Sequence, residues 1–294
     1  MLGYAGPNLP HDLLEATGRN TGPLGWNIDR AMPAAERWLE SKFAPWTRSV
    51  VQDWADGAFD HLEAVIFSRA DDSTQRLYYY LCELRRAGAI RGPEPLILDI
   101  AKIPRPSSVE RTRAGLQALA VRLSVDAAAL VDAIHRVNTK RQASTLPANM
   151  GSKPVCLIAG SALPDDRMHR MVEQAGWHAH GRTLADEWTD PGPQVDEAGD
   201  PFAALARQLH ARPLDTRGFD DRAAALVRQA RDLGARAALL WLIEEDDTSV
   251  WQLPGLRAAL ESEGLPVMVA TRRDWSCRDG IDGELAAFLR GVSA

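Results

Sequence analysis

The chain has 294 residues, of which 45% are apolar and 25% charged, which is enough for about two domains with a buried core in each. Its 34 Lys and Arg and 40 Asp and Glu give a net charge of −6, spread along the chain, which argues against a nucleic-acid-binding or anionic-membrane-binding surface. The first residues lack the pattern of a signal peptide and no run reaches about 18 apolar residues, so we expect a cytoplasmic protein without a membrane segment. The three dispersed cysteines predict neither a disulfide framework nor a zinc site.

Short apolar runs alternate with longer amphipathic segments along the chain, a pattern typical of parallel sheets covered by helices. In the first half we predict strands at 64–68 and 96–100, joined by a helix from Ser73 to Arg86. Four more helices are predicted there: 10–17, 44–56, 107–122 with a capping box formed by Ser107 and Glu110, and 124–141 opened by Ser124.

The segment 145–154 concentrates Pro, Gly, Asn and Ser, and we expect the domain boundary there. After it the same alternation restarts. We predict strands at 155–160, 177–181, 237–243 and 266–271, and helices at 164–175, 201–210, 220–233, 254–263 and 283–292, with a long irregular loop before residue 200.

These elements predict an α/β protein made of two doubly wound, Rossmann- or flavodoxin-like domains with parallel sheets and a helical connection between them. The predicted ranges are 1–148, an α/β domain that ends in a helical segment, and 149–294, a second α/β domain. Ligands of such sheets bind beyond the carboxyl ends of the strands. The candidate site residues are therefore those that follow strands.

Asp71, Asp72 and Ser73 follow one predicted strand and open a helix, where exposed backbone N–H groups favour an anion or polar ligand. The alternative is that Asp72 or Ser73 only caps the helix. Glu244 to Asp247 follow another strand as four consecutive carboxylates; they are either a solvated loop or a site for a cation. If the two sheets face each other, Asp71 and Asp246 are the hypothetical oxygen ligands of a hard divalent metal.

Gly160 and Ser161 follow a third strand and are candidates for binding a phosphate through backbone amides. The spacing of a dinucleotide-binding loop or a P-loop is missing, so an ordinary turn remains the alternative. Among the nine tryptophans, Trp188 and Trp251 fall in loops and are candidates to cover a ligand, whereas most of the others fit a core.

Several segments together resemble the cluster-bearing subunits of the 2-hydroxyacyl-CoA dehydratase and benzoyl-CoA reductase family, over nearly the whole chain. The family start G-Y…V-P-E-E-L-x-x-A-A-G resembles GYAGPNLPHDLLEATG. The family stretch C-P-x-x-R-S…C-D-S…R-L-Y resembles FAPWTRSV followed by SRADDSTQRLYYYL. The family end F-C-D-P…P-x-L…L-E-x-x-G-I-P resembles LIEEDDTSVWQLPGLRAALESEGLPV.

The resemblance implies an iron–sulfur cluster held by one cysteine in each of three motifs, which serves radical chemistry on a nearby acyl-CoA. In this chain those positions are Ala44, Asp71 and Asp246. Alanine cannot ligate and carboxylates are poor ligands for such a cluster, so we expect no iron–sulfur ligation here. The parts that match are Asp72, Ser73 and Arg76, with Asp247 and the two-domain frame.

Three functions follow from this resemblance. The first, which we favour, is a cluster-free subunit that contributes to an acyl-CoA site at the domain cleft beside a paralogous cluster-bearing subunit. It would belong to a lyase of the dehydratase type or to an acyl-CoA reductase, with Asp72, Ser73, Arg76, Gly160, Ser161 and Asp247 as substrate-binding candidates. We expect no cofactor on the chain itself and an iron–sulfur cluster on the partner.

The second is an independent enzyme with a divalent metal at Asp71 and Asp246, acting on a CoA thioester. The third is an acyl-CoA-binding protein without activity.

Overall fold

The computed structural model describes residues 1–144, 152–212 and 221–293. Eight strands are present in these ranges. They are β1 (Leu2–Ala5), β2 (Asn20–Pro23), β3 (Ala64–Ser68), β4 (Glu94–Leu98), β5 (Val155–Gly160), β6 (His178–His180), β7 (Ala235–Ile243) and β8 (Val267–Arg273).

Helices separate most of these strands, as expected of parallel sheets that need crossover connections. Within the same three ranges they are α1 (His11–Ala16), α2 (Pro33–Trp38), α3 (Pro45–Ala55), α4 (Asp72–Arg86), α5 (Pro106–Arg122), α6 (Ala127–Ser144), α7 (Arg167–Gln174), α8 (Leu184–Thr189), α9 (Pro201–Ala211), α10 (Arg222–Asp232), α11 (Leu253–Ser262) and α12 (Ile281–Ser293). A short 3-10 helix, Ser249–Gln252, precedes α11.

The strands form two four-stranded sheets with the same order. The first sheet runs β2-β1-β3-β4 and the second β6-β5-β7-β8, and every pair of neighbours is parallel. In both sheets the chain moves to one side of the first strand and then to the other side, which is the doubly wound arrangement. The predicted fold class is therefore confirmed.

Contacts divide the described chain into two compact units. The first unit consists of residues 1–144 and 188–212, and the second of residues 152–187 and 221–293. The sequence predicted the continuous ranges 1–148 and 149–294, but residues 188–212 pack with the first unit. The predicted boundary itself, between 148 and 149, lies outside the described residues.

Aromatic and polar contacts hold residues 188–212 in the first unit. The ring of Trp188 is fully buried and packs edge-on against Trp26 and Trp46, at centroid distances of 5.2 and 4.9 Å. The Arg141 guanidinium donates to the carbonyl oxygen of Pro191 at 2.8 Å and makes a two-pronged pair with buried Asp12. Removing one partner of such a buried pair leaves an uncompensated charge. Trp188 is thus a core residue and does not cover a ligand as predicted.

Several predicted helix starts differ from those observed because a different residue caps the helix. The helix predicted from the Ser107 capping box begins at Pro106 after an Arg105 N-cap that makes no side-chain bond. Ser124 does not open α6; it has a positive φ of 57°, and Asp126 accepts from the N–H of Ala129 at 2.8 Å instead. In the first case the helix begins at a proline one residue before the predicted serine, and in the second an aspartate two residues after the predicted serine accepts the first-turn N–H.

The described residues contain no single helix that is both long and apolar enough to cross a membrane. Only Pro106–Arg122 joined to Ala127–Ala143, a pair bent by 107°, meets the length and composition criterion.

Candidate functional site

The carboxyl ends of β1 and β3 form the point of the first sheet where the strand order reverses. Gly6, directly after β1, has a φ of 100°, and a Cβ there would lie 2.7 Å from the Cβ of Ser68 and 2.9 Å from the Cγ2 of Thr74. Glycine therefore lets the end of β1 approach the first turn of α4. Ser68 and Thr74 are buried, so solvent does not reach these two side chains at the end of the sheet.

Asp71 is the N-cap of α4. Its Oδ2 accepts from the backbone N–H of Thr74 at 2.7 Å and from the hydroxyl of the same residue. Burial raises the pKa of the Asp71 carboxyl, and the two bonds from Thr74 oppose that rise. The cap that the sequence assigned to Asp72 or Ser73 is thus one residue earlier, because Asp71 has the extended backbone an N-cap needs.

The other predicted residues of this turn have different environments. Asp72 is exposed and Ser73 partly buried within the first turn of α4. The Arg76 guanidinium lies 4.4 Å from the centroid of the Phe43 ring and 3.8 Å from a carboxylate oxygen of Glu40. Arg76 therefore fixes the loop before α3 against α4, which is a structural role.

Two residues after β1 were missed by the sequence prediction. Asn8 is fully buried with a φ of 58°, and no hydrogen bond to its amide nitrogen or oxygen occurs within the described ranges. A buried amide of this kind calls for a partner from water or a ligand. Burial lowers the pKa of His11 to about 4, and Arg212 adds to this effect. The Gly-Pro-Asn triplet after a short apolar run was the signal that could have found this turn.

In the second sheet the corresponding place is formed by the carboxyl ends of β5 and β7. Gly160 has a φ of 117°, and a Cβ there would lie 2.1 Å from the carbonyl oxygen of Trp241. The N–H of Ser161 donates to that same oxygen at 2.8 Å. The backbone amide predicted to bind phosphate is consequently already bonded, and α7 begins only at Arg167.

The Ser161 side chain pairs with Asp246 at this edge. Its hydroxyl donates to Asp246 Oδ2 at 2.8 Å and accepts from the N–H of Ile243 at 3.2 Å. Asp246 Oδ1 accepts from the N–H of Ser249 at 2.9 Å. Both side chains of the pair are partly exposed. This hydroxyl–carboxylate pair is a partly exposed polar group at the carboxyl edge of the second sheet.

The loop after β7 carries the four consecutive carboxylates. Glu244 and Asp247 are exposed, and Glu244 pairs with Arg272 at 3.2 Å. Trp251, in the 3-10 helix that follows, is 86% exposed. The four carboxylates are thus a partly compensated surface loop that ends in an exposed aromatic ring.

The residues at the three implied positions do not fit an iron–sulfur cluster. Ala44 offers no ligand atom, and the carboxylates of Asp71 and Asp246, which accept hydrogen bonds within their own units, are harder ligands than the thiolates that such a cluster needs. Burial raises the pKa of the Cys156 and Cys277 thiols to about 12, and neither cysteine occupies one of the three implied positions. Among the described residues no group of three or more His, Cys, Asp or Glu side chains is arranged to hold a metal ion.

The predicted residues therefore form two separate groups. Asp71, Asp72, Ser73 and Arg76 meet at the start of α4 in the first unit. Gly160, Ser161, Asp246 and Asp247 meet at the ends of β5 and β7 in the second unit. The pairing of Asp71 with Asp246 on one metal remains a hypothesis from the sequence.

Comparison with known proteins adds little. No protein-family model matches the chain, and no curated protein matches it. Among solved structures, the SBP FpvC from Pseudomonas aeruginosa in complex with Mn2+ is similar over 99% of this chain and 94% of that chain, with 10% sequence identity and a TM-score of 0.27. A likeness this distant says nothing about the function of this chain.

Proposed function

We propose that the chain is a cluster-free subunit of an enzyme of the 2-hydroxyacyl-CoA dehydratase or benzoyl-CoA reductase type, and that it works beside a paralogous cluster-bearing subunit. The observation that carries this proposal concerns the three positions where the resemblance implies cluster cysteines. Ala44 is the N-cap of α3, Asp71 is the N-cap of α4, and Asp246 accepts from the N–H of Ser249 at the start of the 3-10 helix. Ala44 and Asp71 directly precede a helix, and Asp246 lies three residues before one.

This shared placement favours a subunit over an independent metal enzyme. The carboxylates of Asp71 and Asp246 accept hydrogen bonds from nearby backbone N–H groups, and within the described ranges no group of three or more His, Cys, Asp or Glu side chains could hold a metal ion. A side chain that caps a helix stabilises the fold whether or not it binds a metal. In this proposal the two-domain frame is maintained without the cluster ligands, and the cluster belongs to the partner subunit.

We assign the contact with acyl-CoA mainly to the second unit. The Ser161–Asp246 pair is partly exposed at the ligand-binding edge of its sheet, and Asp247 lies beside it. In the first unit, Asp72 is exposed but Arg76 is committed to Phe43 and Glu40. We assign an indirect role in this contact to Ser73, Asp72 and Gly160, whose backbone conformations position the groups around them.

Co-expression with a family subunit that has all three cluster cysteines tests the proposal. We expect the two chains to copurify, with iron and acid-labile sulfide assigned to the partner, and the complex to turn over an acyl-CoA that the isolated chain leaves unchanged. An active, monodisperse preparation of the isolated chain would contradict it. Turnover by the isolated chain that depends on a divalent metal would support the carboxylate enzyme, and tight acyl-CoA binding without any partner would support the binding protein.

A further inference from the structure

The turn after β1 carries buried polar atoms that no other described residue satisfies. Asn8 is fully buried, and neither its amide nitrogen nor its amide oxygen has a hydrogen-bond partner within residues 1–144, 152–212 and 221–293. His11 is partly exposed, but its Nε2 atom is buried and also lacks a partner in these ranges. Buried polar atoms without a partner destabilise a protein, so solvent or a ligand usually supplies one.

The backbone at Asn8 does not by itself require an amide. Its φ of 58° lies in the left-handed region, which glycine adopts at a lower cost than asparagine. Glycine would therefore shape the turn equally well and leave no amide to be buried. The amide of Asn8 lowers the stability of the fold unless another molecule forms hydrogen bonds with it.

This turn lies where ligands of doubly wound sheets bind. In the first sheet β1 has β2 on one side and β3 on the other, so the strand order reverses at the carboxyl end of β1. Asn8 and His11 are three residues apart, a length of chain that spans at most about 10 Å. The N–H of His11 also donates to the carbonyl oxygen of Leu9 at 3.0 Å, which keeps the turn tight. Both side chains are therefore within reach of one small molecule.

The protonation state of His11 sets one requirement on such a molecule. A backbone hydrogen bond from Trp188 raises the pKa of His11, which identifies the Trp188 carbonyl oxygen as the acceptor. Because Nε2 has no partner among the described residues, Nδ1–H is the donor of this bond. Burial and Arg212 outweigh the effect of the bond and lower the pKa to about 4, so the ring is neutral at pH 7 and Nε2 has a free lone pair. The ligand must therefore donate a hydrogen bond to Nε2.

The charges around the imidazole are balanced, which disfavours a charged ligand. Arg141 pairs with Asp12 at 2.7 Å. Arg212 pairs with Asp190 at 3.3 Å. The ring of Tyr4 packs edge-on against the imidazole at a centroid distance of 5.4 Å and is neutral, because burial raises the pKa of its hydroxyl to about 12. A ligand with a net charge would lose its hydration here without gaining an opposite charge.

We propose that the carboxyl end of β1 binds a small uncharged compound that carries hydroxyl groups, and that Asn8 and His11 form its hydrogen bonds. A hydroxyl group can donate to His11 Nε2 or to the amide oxygen of Asn8, and it can accept from the amide nitrogen. A carboxylate only accepts and an ammonium group only donates, so neither satisfies all three atoms. The site lies within the first unit and does not rest on the proposed function.

Isothermal titration calorimetry of the intact chain tests this site, with ethylene glycol, glycerol and D-glucose as hydroxyl probes and formate as the charged probe. We expect saturable binding of at least one hydroxyl probe and none of formate. Asn8→Gly keeps the positive φ and removes only the amide, and it should weaken binding about tenfold or more. Ser124→Gly is the matched control, because it makes the same kind of change at an exposed residue with a φ of 57°, and it should leave the affinity unchanged.

His11→Phe is a second variant, because it keeps an aromatic ring beside Tyr4 and removes the Nε2 acceptor; it should also weaken binding. Thermal unfolding of each variant checks that the fold is intact, and a crystal structure with the bound probe should place it between Asn8 and His11. The inference is wrong if no hydroxyl probe binds saturably, if Asn8→Gly binds as tightly as wild type, or if only ordered water lies between the two side chains. None of these results bears on association with a cluster-bearing subunit, so the proposed function is tested separately.

Discussion

The carboxyl ends of β3 and β7 occupy the same place in two sheets of identical strand order, yet they are built differently. In the first unit the strand leads almost directly into α4, and buried Ser68 and Thr74 close the edge around Gly6. In the second unit the Ser161–Asp246 pair stays partly exposed, and α7 starts several residues after β5. The same topology therefore gives one edge whose polar side chains are buried and one whose polar side chains are partly exposed.

The largest expected effects on the free energy of unfolding come from alanine substitutions of the two glycines at these edges, and the two substitutions should differ. Gly160→Ala directs a Cβ to 2.1 Å from a backbone oxygen that cannot move freely, whereas Gly6→Ala meets side-chain atoms of Ser68 and Thr74. We expect about 3 kcal/mol or more to be lost from the free energy of unfolding for Gly160→Ala, and about 2 kcal/mol for Gly6→Ala. Urea unfolding measures both.

Substitution of a third glycine measures the free-energy cost of the backbone conformation alone. Gly176 has a φ of 86° and no atom within 4 Å of an added Cβ, so Gly176→Ala should cost only about 1 kcal/mol. Equal losses at Gly160 and Gly176 would show that the contact with Trp241 is unimportant.

The next expected effect is a pH dependence of stability that comes from His11, in the segment that follows β1. The folded-state pKa of His11 is about 4, below its ordinary value of 6.5, so the unfolded chain binds this proton more readily. The stability that neutral His11 contributes is present above pH 6.5 and is lost as the pH falls towards 4, with a total of roughly 3 kcal/mol.

The difference in unfolding free energy between wild type and His11→Gln, measured by urea from pH 7 to 4.5, should reveal this dependence. The exposed His61→Gln variant is the matched control. Parallel pH profiles of wild type and His11→Gln would mean that folding leaves the pKa of His11 unchanged.

The smallest expected effects come from the two capping carboxylates. Asp71→Ala removes the acceptor of the Thr74 N–H and should cost about 1 kcal/mol, and Asp246→Ala about half of that because water reaches its partners. Asp72→Ala, one residue into α4, removes an equal charge but not the cap bond and is the control. A larger loss for Asp72→Ala than for Asp71→Ala would contradict the assignment of the cap.

Asp71→Asn gives a finer test of the same edge. Burial raises the pKa of Asp71, so its contribution to stability is present below pH 3.8 and is lost as the pH rises through the raised folded-state value. The asparagine keeps an acceptor for the Thr74 N–H and has no charge to desolvate. We expect Asp71→Asn to be more stable than Asp71→Ala at pH 7, with a flatter pH profile than wild type.

The long, apolar strands were predictable from the sequence because each follows a clear hydrophobic pattern. The run at 64–68 and the run at 155–160 match β3 and β5 residue for residue. The short strands β1 and β2 were missed, since LGYA and NTGP contain few β-branched residues, and β1 lies between β2 and the distant strand β3. Local propensity cannot reveal a strand that depends on long-range pairing.

The sequence predicted only which candidate site residues lie together at the edge of one sheet. The spacing of residues after strands located Ser161 and Asp246 at one edge, and the structure brings them to 2.8 Å. That the Ser161 N–H is already bonded to Trp241 was not predictable, because the bond depends on the backbone conformation of Gly160. The packing of residues 188–212 with the first unit was missed for a similar reason: it depends on Arg141 and Trp188, which are distant in sequence.

The most direct test of the central claim compares iron and acid-labile sulfide in two proteins after anaerobic reconstitution. One is the wild-type chain alone and the other is its complex with a family subunit that has all three cluster cysteines. The proposed function predicts no iron or sulfide on the wild-type chain alone and both in the complex. A cluster on the wild-type chain alone, or failure of the two chains to form a complex, would contradict that account.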